Sequence, residues 1–156
     1  NASNAFFSFD NVKMVCRLID ERYPDYENVI PLDNSNNIVI DKSEVLSSLK
    51  RISIYANKTT NQVRFKISGG EILISAEDLD FSNEANERIS CEHDGADIEI
   101  GFNAKFLIEI LSNLNSTRVT FKLSKPNKAG LIIPDEMDDH EDITMLVMPV
   151  MLNDYD

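Results

Sequence analysis

The chain has 156 residues, 42% of them apolar and 27% charged, and a net charge of −12. That length suits one well-buried domain with a short appendage, and no apolar run approaches the roughly 18–20 residues a membrane span needs. The acidic balance argues against an ordinary nucleic-acid binder. Exposed charges further apart than about 8 Å are nevertheless screened from one another at physiological salt, so a basic face and an acidic one can share the molecule.

The first five residues, Asn1 to Ala5, contain Ser-Asn-Ala, a frequent expression remnant or else native sequence, and no functional weight is put on them. Phe6-Phe7-Ser8-Phe9 and Val12 to Leu18 read as a hairpin around Asp10-Asn11. Tyr23-Pro24-Asp25-Tyr26 reads as a turn, and Asp33-Asn34-Ser35-Asn36-Asn37 as a polar linker.

From Ile38 onward the chain repeats itself at a spacing of about sixty residues. Ile38-Val39-Ile40 is a short strand, followed by a helix whose apolar stripe is Val45, Leu49, Ile52 and Ala56, with Leu46 and Ser53 beside it. Asp41 or Ser43 can cap that helix. Val63 to Ile67, Glu71 to Ser75 and about Arg88 to Glu92 follow as strands, with Gly69-Gly70 a tight hairpin turn. The second copy opens with Ile98-Glu99-Ile100 and a helix capped by Asn103, its buried stripe being Phe106, Leu107, Ile110, Leu111 and Leu114. Its strands are Val119 to Leu123, Gly130 to Ile133 and Thr144 to Val150. The fold class is therefore α+β: a duplicated strand–helix–three-strand unit with two helices packed on antiparallel sheet. Residues 1–32 lie outside the repeat as the end of a preceding domain plus a connector, 33–152 form the domain, and 153–156 a tail.

Enzymatic readings find little support. Cys16 and Cys91 have neither metal nor redox spacing and read as buried or half-buried thiols of a reducing compartment. Asp33, Ser35, Asn37, Asp41 and Glu44 have calcium-loop spacing, but Ile38 stands where such a loop needs glycine. The acidic run from Asp135 to Asp142 with His140 reads as a solvated loop rather than a chelator, and His93 stands alone beside a turn. No serine or cysteine has a base partner by motif, and no glycine loop cradles phosphate. No cofactor and no metal are expected.

Four stretches resemble one family, the beta subunit of bacterial DNA polymerase III, a sliding clamp. They are Arg22-Tyr23-Pro24-Asp25-Tyr26 with Val29-Ile30-Pro31, then Glu99-Ile100-Gly101-Phe102-Asn103, Asn127 to Ile132, and the terminal Val147-Met148-Pro149-Val150-Met151-Leu152. In order and correctly spaced, they look like the third domain of that subunit with the end of the second. The resemblance implies a DNA-clamp fold, a non-catalytic role in replication processivity in the bacterial cytoplasm at the nucleoid, and a homodimeric ring of full-length chains around double-stranded DNA. It also implies partners: polymerase III subunits, the clamp loader and other proteins carrying a clamp-binding motif. An α+β ligand-binding or enzymatic domain with similar patterning is the alternative.

The resemblance further implies a groove for apolar peptides lined by Pro24, Asn28, Val29, Thr60, Asn103, Phe106, Lys128 and Gly130. Val147, Met148, Pro149, Val150, Met151 and Leu152 would form its floor. The chemistry fits on its own terms: proline cannot donate to a strand ladder and belongs at an edge, and methionine adapts to varied ligands. Family members often carry arginine at the Asn28 position and a bulky residue at Thr60, which implies a more open or less basic groove here. The tail 153–156 would partly cover it. Lys42, Lys50, Arg51 and Lys105, off the apolar stripes, would face DNA phosphates, with Arg118 nearby and Glu44 and Glu109 diluting the field. Ile54 and Tyr55, with the strand from Glu84 to Arg88 alongside, would pack against a partner subunit.

Overall fold

The computed structural model describes residues 1–152. The first two strands, β1 (Asn4–Phe9) and β2 (Val12–Arg17), form an antiparallel hairpin, with Asp10 at φ +47° in the turn. Asn4 and Ala5, set aside in the sequence, are paired with Arg17 and Cys16. Every residue of β2 is exposed, Cys16 included, so the expectation that both thiols are buried fails for this one: it sits on a thin ribbon. Cys91 is half-buried, and burial pushes its thiol pKa up. Beyond the hairpin, Tyr26–Val29 forms a short 3-10 helix just after the expected turn.

The repeat is present, but its two copies exchange strands. The first copy comprises β3 (Asn36–Asp41), α1 (Lys42–Ile52), β4 (Gln62–Ser68), β5 (Glu71–Asp78) and β6 (Asn83–Ser90). After the short β7 (Glu92–His93) comes the second: β8 (Ile98–Asn103), α2 (Ala104–Asn113), β9 (Arg118–Leu123), β10 (Gly130–Pro134) and β11 (Met145–Val147). One sheet runs β6-β5-β4-β8 and the other β11-β10-β9-β3-β7. The leading strand of each copy thus completes the sheet built by the other, through Val63↔Phe102 in one and Ile40↔Val119 in the other.

Local chemistry explains the elements. The Asp41 carboxylate accepts the Glu44 N–H at 2.9 Å and the Ser43 hydroxyl at 2.6 Å, so aspartate rather than serine caps α1. Val45, Leu49 and Ile52 are buried, each contributing about 1.5–3 kcal/mol relative to exposure. The helix stops at Ile52 and a 3-10 turn (Ser53–Tyr55) delivers the buried Ala56. Gly69 and Gly70 have φ of +59° and +83°, the left-handed pair that a tight hairpin between β4 and β5 demands. Between the sheets, Phe65 stacks edge-on to Phe102 at 5.6 Å and lies 6.2 Å from Phe121, tying β4, β8 and β9 into one core.

Several boundaries differ from expectation. The polar linker ends at Ser35: Asn36 and Asn37 belong to β3, and the buried Asn36 side chain accepts the Ala96 N–H at 3.1 Å. The strand expected over about 88–92 is the end of β6 and the start of β7, in different sheets, because the chain crosses over at Cys91. The last strand ends at Val147 rather than Val150. In α2 the buried face is Ala104, Leu107 and Leu111, with Leu114 beyond its end, whereas Phe106 is exposed and Ile110 only half-buried.

Candidate functional site

Strand β8 passes directly into α2, and Asn103 holds the junction. Its Oδ1 accepts the Lys105 N–H at 3.0 Å as helix cap, while its Nδ2 donates to the Thr60 carbonyl at 3.1 Å. Opposite α2 runs the end of the described chain. Val147 pairs with Gly130 in β10, and the ladder then stops, Pro149 having no N–H to continue it. Val150 turns to the other sheet, donating its N–H to the Gly101 carbonyl at 2.9 Å.

This stepped segment and the outer face of α2 enclose a cavity of about 460 Å³ lined by Asn103, Phe106, Glu109, Ile110, Leu146, Val147, Met148, Pro149 and Val150. Phe106 is 58% and Met148 61% exposed, so two large apolar side chains stand at its mouth with Val147 buried beneath. Among the described residues Glu109 is its one ionisable wall. The arrangement can take up apolar side chains, and it holds no nucleophile paired with a base. Among the described residues no cluster of His, Cys, Asp or Glu could hold a metal ion.

Six of the residues expected in a groove meet here: Asn103, Phe106, Val147, Met148, Pro149 and Val150. Met151 and Leu152 instead line a second cavity of about 460 Å³ on the far side of Val150, with Ile98 and Pro126. Thr60 is exposed and touches the first cavity only through its carbonyl bond to Asn103. Gly130 is buried opposite Val147, and Lys128 is exposed in the turn before it. Pro24, Asn28 and Val29 are exposed on the connector and do not line the cavity; the Asn28 amide bonds the Asp25 carboxylate at 2.7 Å. The expected cover, residues 153–156, lies outside the described residues. Sequence reasoning missed Glu109 and Leu146 as walls and put Ile110 in the core. The signal for Glu109 was its place three residues after Phe106 on the same helix face.

The expected DNA-facing cations divide into two kinds. Lys50 and Lys105 are exposed. Lys42, partly buried, donates to the Leu114 carbonyl at 2.7 Å, closing the C-terminal end of α2. Arg51 forms a two-pronged pair with Glu87 on β6, at 2.6 and 2.9 Å, which holds the Glu87 carboxyl below its usual range. Arg118 similarly reaches Glu92 at 2.6 Å. Ile54 and Tyr55 are exposed on the 3-10 turn packed beside β6.

Two exchanged halves, adjacent helices and antiparallel sheets are the architecture of a DNA-clamp domain, here with an apolar groove beside its second helix. The family model of the DNA polymerase III beta subunit, C-terminal domain, matches residues 27–151. The chain belongs to that family. A beta sliding clamp of Pseudomonas aeruginosa is 31% identical over 136 residues, 87% of this chain and 36% of that one. A crystal structure of the DNA polymerase sliding clamp of the same organism, with ligand, superposes with a TM-score of 0.91 at 28% identity, over 97% of this chain and 40% of that one. Another, bound to griselimycin, superposes at 0.83 and 30% identity, over 90% and 37%. The chain therefore spans a little over a third of the length of these relatives.

Proposed function

We propose that this domain is one segment of a ring-shaped processivity clamp, non-catalytic, which tethers the replicative polymerase to double-stranded DNA in the bacterial cytoplasm. In this reading residues 1–32 are the last hairpin of a preceding domain and the connector, 33–152 the C-terminal clamp domain, and 153–156 a tail. Two full-length chains close the ring, with Ile54 and Tyr55 against the partner subunit. Polymerase III subunits, the clamp loader and other clamp-binding proteins dock in turn.

The observation that carries the reading is the groove between α2 and residues 146–150, where Phe106 and Met148 remain exposed at the mouth of an apolar cavity. Pro24, Asn28, Val29, Thr60, Lys128 and Gly130 stand outside this cavity, and Met151 and Leu152 line the second one past Val150. Burying a leucine and a phenylalanine of a docked peptide contributes about 1.5–3 kcal/mol each, which after the costs of association corresponds to about micromolar affinity. That strength suits partners that exchange. A griselimycin-bound relative supports ligand uptake by members of this fold.

The test is fluorescence anisotropy of a labelled clamp-binding peptide on the full-length protein. Met148→Asn and Phe106→Ser should each weaken binding about tenfold, the loss of roughly one buried contact. Undiminished binding in both variants rejects the groove.

A further inference from the structure

Resting on the docking reading above, the groove's charge distribution separates kinds of peptide. Its walls come from one face of α2 and from residues 146–150, and all but two of the nine lining residues are apolar. Of those two, the Asn103 amide is committed at both ends, to the Lys105 N–H and the Thr60 carbonyl, and cannot turn to a ligand without uncapping α2. Glu109 is exposed, and its side chain makes no hydrogen bond or ion pair among the described residues. Among the described residues no lysine or arginine lines the cavity.

Glu109 also stands in the second half of α2, which ends at Asn113. The C-terminal end of α2 is closed by the Lys42 ammonium on the Leu114 carbonyl and by the Asn113 amide on the Glu109 carbonyl, neither of which engages the Glu109 carboxylate. The nearest cation on the same helix is Lys105, one turn earlier. That order, lysine before glutamate, is the weaker of the two i, i+4 arrangements and leaves the carboxylate open to competition.

We infer that Glu109 is a specificity-determining residue of the groove, selecting peptides in which a lysine or arginine flanks the apolar anchors and disfavouring those with an acidic flank. The apolar walls bind the anchors and hold the chain against α2; the carboxylate then reads the charge beside them. An ion pair at a partly exposed rim corresponds to about a threefold change in affinity for adding a cation, and about as much again for replacing a neutral flank by an anion.

The experiment uses the full-length protein and three fluorescein-labelled nonapeptides sharing a central leucine and phenylalanine, with Lys, Gln or Glu at both flanks. Anisotropy titrations at about 0.15 M salt should rank them Lys, Gln, Glu, about tenfold from first to last. Glu109→Gln should collapse that ranking to within about twofold. Glu77→Gln, which removes one exposed charge from β5 outside the groove, should preserve the ranking. A ranking that survives Glu109→Gln, or collapses equally in Glu77→Gln, overturns the inference, since the preference then belongs to the net charge of −12. Failure of all three peptides to bind sinks the docking reading and this inference with it, a result distinct from equal binding of all three.

Discussion

Gly101 is where a single methyl group should detach the groove's floor. It lies in β8, and its carbonyl receives the Val150 N–H at 2.9 Å. A Cβ added there would stand 2.6 Å from the Val150 carbonyl oxygen and 2.8 Å from the Leu152 side chain. The oxygen belongs to backbone and cannot swing aside, so Gly101→Ala must push the terminal segment outward. Overpacking of this kind costs about 1–3 kcal/mol, and losing the bridging hydrogen bond about 0.5–1.5 more. Alanine offsets about 0.5–1 kcal/mol, because glycine loses more backbone freedom on entering a strand. The net destabilisation is about 2 kcal/mol, which lowers a urea midpoint by about 1 M for a domain of this size. Hydrogen exchange at the Val150 amide should accelerate, and the labelled peptide should bind more weakly as Met148 and Pro149 lose their position. A midpoint within about 0.2 M of the parent's, with the Val150 amide still protected, would refute the reasoning.

Two further expectations follow from the helices. The Ser43 hydroxyl and the Glu44 N–H hold the Asp41 carboxyl below its usual range. A carboxyl lowered by folding stabilises the domain above its unfolded pKa of about 3.9, and that contribution fades as pH falls through the folded value. Asp41→Asn should therefore flatten the acid limb of the stability profile below about pH 4, and Asp41→Ala should cost about 1 kcal/mol at neutral pH; identical acid limbs for Asn and Asp would contradict this account. For the proposed contact with DNA, Lys50→Ala and Lys105→Ala should each reduce the salt slope of duplex binding by the full-length protein by about 0.9 without changing Tm. Lys42→Ala should instead lower Tm, since its ammonium closes α2 at Leu114, and Glu87→Gln, by freeing Arg51, should steepen the slope. Salt slopes indifferent to Lys50 and Lys105 would remove these helices from the DNA face.

Much of the fold is legible where one residue type meets one backbone need. Gly69-Gly70 announces its turn, Asn103 its helix start, and the alternating runs from Val63 and Val119 their strands. Pairing is not written in the same code. A period of two says that Ile38 and Ile40 face a core, but not that their neighbour is β9 rather than β4. Phe106 shows the limit of helical periodicity. It occupies the edge of the apolar arc, and because Ala104 and Leu107 already fill the interior, the phenylalanine is left at the surface. Pro149 marks an edge, but the strand is expected to run on to Val150 and pairing ends at Val147; that the chain then crosses to Gly101 depends on two sheets being brought together, which no local pattern encodes. Lys42 and Arg51 look like free cations in the sequence because their partners, Leu114 and Glu87, lie far along the chain.

The exchange of leading strands has a consequence for how the domain comes into being. The pairing of β3 with β9 joins residues about eighty positions apart, and the loop-closure entropy must be met before any contact between them contributes. During synthesis, β4, β5 and β6 can assemble early but lack a fourth strand until β8 appears, and β3 stays unmated until β9 follows. The groove, made from α2 and the last described residues, is the final part to form. A nascent or truncated chain therefore cannot form the groove before its topology is closed, so the proposed recruitment of a partner would itself report that the domain is complete.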